Sequence, residues 1–149
     1  MQIPEILNRY ATNFSFEFFP PKTEESSQRL FRTIEELEPL DPCYVSVTYG
    51  AGGTTRALTY ELLLKIKRDT DIPVVSHLTC VGASKDEIHE LLKNYWQSGI
   101  RNILALRGDP PQGEKHFTPP KNGFNNATEL VAFIRDKFPD MGIGVAGYP

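Results

Sequence analysis

Glu17, Thr48, Tyr49, His77, Arg107, Asp109 and Tyr148 each stand at or just beyond the end of a short run rich in aromatic and β-branched residues. Two carboxylates and an imidazole move protons, and an arginine holds an anion, so the set suits acid-base work on a polar or charged substrate. It contains no convincing nucleophile with an adjacent base, which argues against covalent acyl transfer. Glu17, His77 and Asp109 are also a reasonable ligand set for a divalent metal, the chemistry of a metal-dependent lyase. Plainer roles compete with both: a histidine satisfied in the core, and an arginine paired with Asp109 or Glu17. A non-catalytic subunit that keeps the fold within a redox assembly is a third alternative.

The stretch Phe14-Ser15-Phe16-Glu17-Phe18-Phe19-Pro20-Pro21-Lys22 is the most informative. Strand alternation puts Phe14, Phe16 and Phe18 on one face and Ser15, Glu17 and Phe19 on the other. A carboxylate is therefore expected deep in an apolar strand. There it must titrate with a raised pKa, pair with a cation, or face a cavity that holds a ligand. Pro20 and Pro21 end the strand, because neither donates to a ladder.

The elements that position these residues alternate regularly. Runs at 44–49, 74–79, 103–106 and 143–148 read as further strands. Between them lie helical patterns. Thr23 caps the first, with Leu30, Phe31, Ile34 and Leu37 as its stripe; Thr54 or Thr55 starts the next, with Leu58, Leu62 and Ile66 on one face. Ser84 and Glu87 form a capping box ahead of Ile88, Leu91, Leu92 and Tyr95, and Asn126 with Glu129 caps a helix carrying Leu130, Ile134 and Phe138. The segment 110–125 has no periodicity and many prolines and glycines, a length of irregular chain that is usually functional.

Five strands separated by four helices, about thirty residues apart, specify a parallel sheet with right-handed crossovers. The turn Gly50-Ala51-Gly52-Gly53-Thr54-Thr55 has threonine where the dinucleotide fingerprint needs its third glycine. Small or polar residues recur on one parity: Ser15 and Glu17, Ser46 and Thr48, His77 and Thr79, Ala105 and Arg107, Ala146 and Tyr148. That pattern fits a (β/α)8 TIM barrel with a ligand at the strands' C-terminal ends. Such a barrel needs about 250 residues. Residues 1–149 are accordingly expected to be the N-terminal portion of a single barrel domain, its first five strands.

Of 149 residues, 40% are hydrophobic and 23% charged, enough to bury a core. The net charge of -3, without a lysine or arginine cluster, argues against a nucleic-acid surface. Neither a membrane segment nor a secretory leader is legible, so a cytoplasmic location is expected. Cys43 and Cys80 lack metal-binding spacing and are expected to be buried free thiols.

Together, Ser15-Phe16-Glu17-Phe18-Phe19-Pro20-Pro21-Lys22-Thr23, Val45-Ser46-Val47-Thr48-Tyr49-Gly50-Ala51-Gly52-Gly53, His77-Leu78-Thr79-Cys80, Leu104-Ala105-Leu106-Arg107-Gly108-Asp109-Pro110 and Ala146-Gly147-Tyr148-Pro149 resemble the methylenetetrahydrofolate reductase family. The resemblance implies a flavin-containing (β/α)8 barrel that uses NADH or NADPH to reduce methylenetetrahydrofolate to methyltetrahydrofolate, in one-carbon and methionine metabolism. It makes Glu17 the general acid and Asp109 a carboxylate between folate and flavin, both touching substrate. It places Thr48, Tyr49, Ala51, His77, Arg107, Gly108, Asp109 and Tyr148 against FAD, with no metal. Asn126 stands where the family often has tyrosine. The full-length protein is expected to be a homo-oligomer, with later folate and nicotinamide contacts beyond Pro149.

Overall fold

The computed structural model describes residues 1–9, 11–49, 56–110 and 113–147. In chain order, a short helix α1 (Ile3–Leu7) precedes β1 (Ser15–Phe18), α2 (Glu24–Leu37), β2 (Tyr44–Val47), α3 (Arg56–Asp69) and β3 (Val74–Thr79). Then follow α4 (Lys85–Gln97), β4 (Asn102–Leu106), α5 (Ala127–Lys137) and β5 (Gly142–Val145). The strands form one sheet in the order β1-β2-β3-β4-β5, every neighbouring pair parallel. A doubly wound sheet reverses its strand order at a switch point, whereas here each strand is added on the same side of the last. This is the winding of a (β/α)8 barrel, and the chain has the fold of its N-terminal part.

Local chemistry starts α2, α4 and α5 where expected, while Thr54 and Thr55, the expected starts of α3, lie outside the described residues. Thr23 Oγ1 accepts from the Ser26 amide at 3.2 Å. At α4, Ser84 Oγ accepts from the Glu87 amide while the Glu87 carboxylate accepts from the Ser84 amide at 2.8 Å. At α5, Asn126 Oδ1 accepts from the Glu129 amide at 3.0 Å. Glu129 itself reaches one residue further back, to the Asn125 amide. Each arrangement satisfies amides that a helix start would leave bare.

The core lies between the sheet and its helices. Val45, Val47, Leu78 and Ile103 from the strands meet Ile34, Leu63, Ile88 and Leu130, all at most 1% exposed. On α3 the buried stripe is Thr59, Leu62, Leu63 and Ile66. Leu58, expected in it, is exposed, one position off the face that meets the sheet. A buried serine on the helix side of β3, Ser76, donates to the Tyr95 hydroxyl at 3.0 Å, so this polar pair is satisfied internally. Both cysteines are buried and free, and burial pushes the Cys80 thiol up to about 11. Among the described residues, no helix is long and apolar enough to cross a membrane.

Register decides which side chains share the other face. Glu17 pairs with Ser46, His77 with Leu104, and Thr79 with Leu106. Ala105, expected beside His77, pairs instead with Leu78 and is buried among the helices. Leu104 and Leu106 take that face; a strand of small and aliphatic residues does not reveal its own parity. Arg107 lies past the end of β4, where alternation no longer dictates direction. β2 and β5 likewise end at Val47 and Val145, earlier than expected, and Tyr148 lies outside the described residues.

Candidate active site

Glu17 stands one residue before the end of β1, and His77 two residues before the end of β3. Their strands flank β2 on either side, and Glu17 Oε2 comes within 3.2 Å of His77 Nε2. The histidine side chain is 10% exposed and the carboxylate 51%. Glu17 is therefore not deep in an apolar environment. β1 is an edge of the described sheet, with a neighbour on one side only, and Phe14 and Phe19 around it are exposed as well. Of the three outcomes open to this carboxylate, the structure realises a contact with a basic ring. Burial lowers the His77 pKa below its ordinary value, and the nearby Glu17 charge only partly opposes that. Near neutral pH the imidazole is uncharged.

Four side-chain atoms at the same end of the sheet are buried without a hydrogen-bond partner among the described residues: Tyr49 Oη, Arg56 Nε, His77 Nε2 and Thr79 Oγ1. The His77 contact with Glu17 has the distance of an ion pair but not the alignment of a hydrogen bond. Natively folded chains seldom leave such groups bare, because each costs about 1–3 kcal/mol. Burial raises the Tyr49 phenol, an effect that the Arg56 guanidinium beside it partly offsets. Arg56 is held by its Nη2, which donates to the Gly82 carbonyl at 2.8 Å. Thr48, the residue before Tyr49, donates its amide to the Phe18 carbonyl and accepts from Thr59 Oγ1, tying the ends of β1 and β2 to α3.

The Arg107-Gly108-Asp109 turn closes on β3. The Cys80 amide donates to the carbonyls of both Leu106 and Arg107, at 3.3 and 3.1 Å. Gly108 has a φ of +83°, and a Cβ there would lie 2.6 Å from Val81 Cγ2 and 2.9 Å from Thr79 Cβ. Only glycine fits. Arg107 is exposed and makes neither of the ion pairs weighed for it; its Nε donates to the Gly108 carbonyl at 3.2 Å. Asp109 is exposed and has no hydrogen bond or ion pair among the described residues. So the structure brings Glu17 and His77 into contact and seats Gly108 on Thr79, while Arg107 and Asp109 stand at the rim. No three His, Cys, Asp or Glu side chains gather as a metal-ligand set among the described residues, and the Glu17, His77 and Asp109 set is not assembled. Ala51 and Tyr148, both expected at the site, lie outside the described residues.

The family model for methylenetetrahydrofolate reductase matches residues 2–149. The chain belongs to that family. It is 41% identical over 149 residues to methylenetetrahydrofolate reductase (NADH) 1 of Arabidopsis thaliana, covering 99% of this chain and 25% of the relative. It is 42% identical over 137 residues to the 5,10-methylenetetrahydrofolate reductase of Escherichia coli, covering 92% of this chain and 44% of the relative. Methylenetetrahydrofolate reductase 1 of Schizosaccharomyces pombe is 43% identical over 138 residues, or 91% of this chain and 23% of the relative. The chain thus spans a quarter to under half the length of these relatives.

Two residues at the site escaped the reading of strand ends. Arg56 sits in what reads as an ordinary helix start, and nothing local marks it as the neighbour of Tyr49. Thr79 was visible in the polar parity of β3 but carries no acid-base chemistry, so only its burial singles it out. Asn126 is explained locally: it caps α5, a position for which asparagine is among the best residues.

Proposed function

We propose that this chain is the N-terminal portion of a single (β/α)8 barrel in a longer reductase, which reduces methylenetetrahydrofolate to methyltetrahydrofolate with NADH or NADPH through bound FAD. The observation that carries this reading is the Glu17–His77 contact at the C-terminal ends of the strands of a chain of this family, beside buried polar atoms that lack partners. Those atoms and the close seat at Gly108 fit a flat heteroaromatic group with polar edges. Thr48, Tyr49, Ala51, His77, Gly108, Asp109 and Tyr148 would hold it, and Arg107 would face its phosphates or the negative charge of its reduced ring. When bound, the flavin supplies the hydride.

Opening the methylene bridge requires a proton at the leaving amine nitrogen of the folate. Glu17 is the residue to deliver it. Its carboxyl is half exposed, within reach of a substrate, and lies 3.2 Å from His77 Nε2. Asp109, at the rim and without a partner among the described residues, is available to the polar pterin ring.

Glu17→Gln in the full-length protein separates the two half-reactions. Reduction of flavin by the nicotinamide needs no acid at the folate and should stay within about tenfold of wild type, whereas reoxidation by methylenetetrahydrofolate should slow about a hundredfold to ten-thousandfold. Stopped-flow absorbance at matched flavin content measures both. Equal slowing of the two steps would mean that Glu17 supports structure alone.

A further inference from the structure

The hydroxyl of Thr79 has no assigned role, yet its surroundings are unusually determined. Thr79 is the last residue of β3 and 7% exposed, two positions beyond His77 and therefore on the same face of the sheet. The seat of Gly108 lies against its Cβ and its methyl, 2.9 and 3.3 Å from where a Cβ at 108 would stand. The methyl branch is thus packed under the Arg107-Gly108 turn. Oγ1 is the remaining branch, buried and without a hydrogen-bond partner among the described residues. His77 precedes Thr79 by two residues on the same face, and Gly108 lies across from its Cβ and methyl. A buried hydroxyl held in one orientation with nothing to bond is costly to the protein alone, and the cost disappears when a ligand supplies the partner.

We propose that Thr79 is a further cofactor-positioning residue, whose hydroxyl donates a hydrogen bond to an acceptor on the polar edge of the bound flavin ring. This rests on the flavin reading above. The ring edge offers more carbonyl and nitrogen acceptors than donors, and a threonine hydroxyl is free to donate. The methyl and the hydroxyl then have separate tasks: the first supports the Gly108 turn, the second meets the ligand.

That division gives the two conservative substitutions opposite signatures in the full-length apoprotein titrated with FAD. Thr79→Val keeps the methyl and the shape while removing the unpaired hydroxyl, so thermal stability without flavin should be unchanged or raised. FAD should nevertheless bind about five- to tenfold more weakly, and the visible spectrum of the bound flavin should shift. Thr79→Ser keeps the hydroxyl and loses the methyl, so the apoprotein should melt at a lower temperature while FAD affinity stays within about twofold. Wild-type FAD affinity in Thr79→Val, with an unshifted spectrum, would overturn the proposal and leave the hydroxyl to water. Parallel loss of stability and affinity in both variants would also overturn it, reducing Thr79 to packing. A wild-type protein that binds no FAD would overturn the flavin reading and this inference together, a result distinguishable from the other two.

Discussion

The two ends of this sheet treat buried polar side chains in opposite ways. At the N-terminal end, Asn102 on β4 is 3% exposed, and its amide is fully engaged: Oδ1 accepts from the Ile3 amide at 2.8 Å and Nδ2 donates to the Met1 carbonyl at 3.1 Å. Gly142 on β5 leaves room for that arrangement, since a Cβ there would lie 2.3 Å from Asn102 Oδ1. At the C-terminal end, Tyr49 Oη, His77 Nε2 and Thr79 Oγ1 are also buried, yet none has a hydrogen-bond partner among the described residues. A concavity of about 550 Å³ lies at the N-terminal end, lined among others by Asn102, Arg101, Lys67 and Asp71. One end satisfies its buried amide from its own chain, and the other leaves buried polar atoms without a hydrogen-bond partner among the described residues.

Substitutions at the two ends should therefore part company. The largest effect is expected for Gly108→Ala, which forces a left-handed backbone on a residue with a side chain and drives its Cβ into Thr79 and Val81. It should cost about 2–4 kcal/mol in denaturant unfolding and lower FAD affinity as well, because Thr79 must move. Asn102→Ala should cost about 1–3 kcal/mol by baring the Ile3 amide and the Met1 carbonyl, yet leave FAD affinity unchanged. Loss of flavin binding in Asn102→Ala would erase the distinction between the ends.

The smallest effect concerns pH. The folded-state pKa of His77 lies below the ordinary value of 6.5, so the unfolded chain takes up a proton first as pH falls. Its contribution to stability is complete above about 6.5 and is lost as pH drops through the lower folded value, by less than about 1.4 kcal/mol per pH unit. Comparing unfolding of wild type and His77→Gln across pH 5 to 7.5 should show a shallower slope in the variant. Identical slopes would mean that another group titrates there.

What was legible in the sequence was local or periodic. Thr23, Ser84 and Asn126 cap helices through atoms three residues away, and β3 begins and ends where its β-branched run does. What was not legible depends on partners remote in the chain. The face taken by Ala105 follows from its pairing with Leu78, and the clamp of Asn102 joins residues 101 apart. Phe124, 1% exposed within a segment without periodicity, is held by packing against Phe133. Of the site, residue types at strand ends were sufficient to nominate Glu17 and His77, while their contact and the half-exposed state of Glu17 depend on which strands flank β2 and on the edge position of β1.

The central claim, that the C-terminal end of the sheet is completed by a flavin, is tested most directly by titrating the full-length apoprotein with FAD, for wild type and Arg107→Ala. The account predicts one FAD per barrel in the wild type and about tenfold to 150-fold weaker binding in the variant, the worth of a charge-assisted hydrogen bond. A wild-type protein without affinity for FAD, or an arginine variant that binds it equally well, would contradict the account.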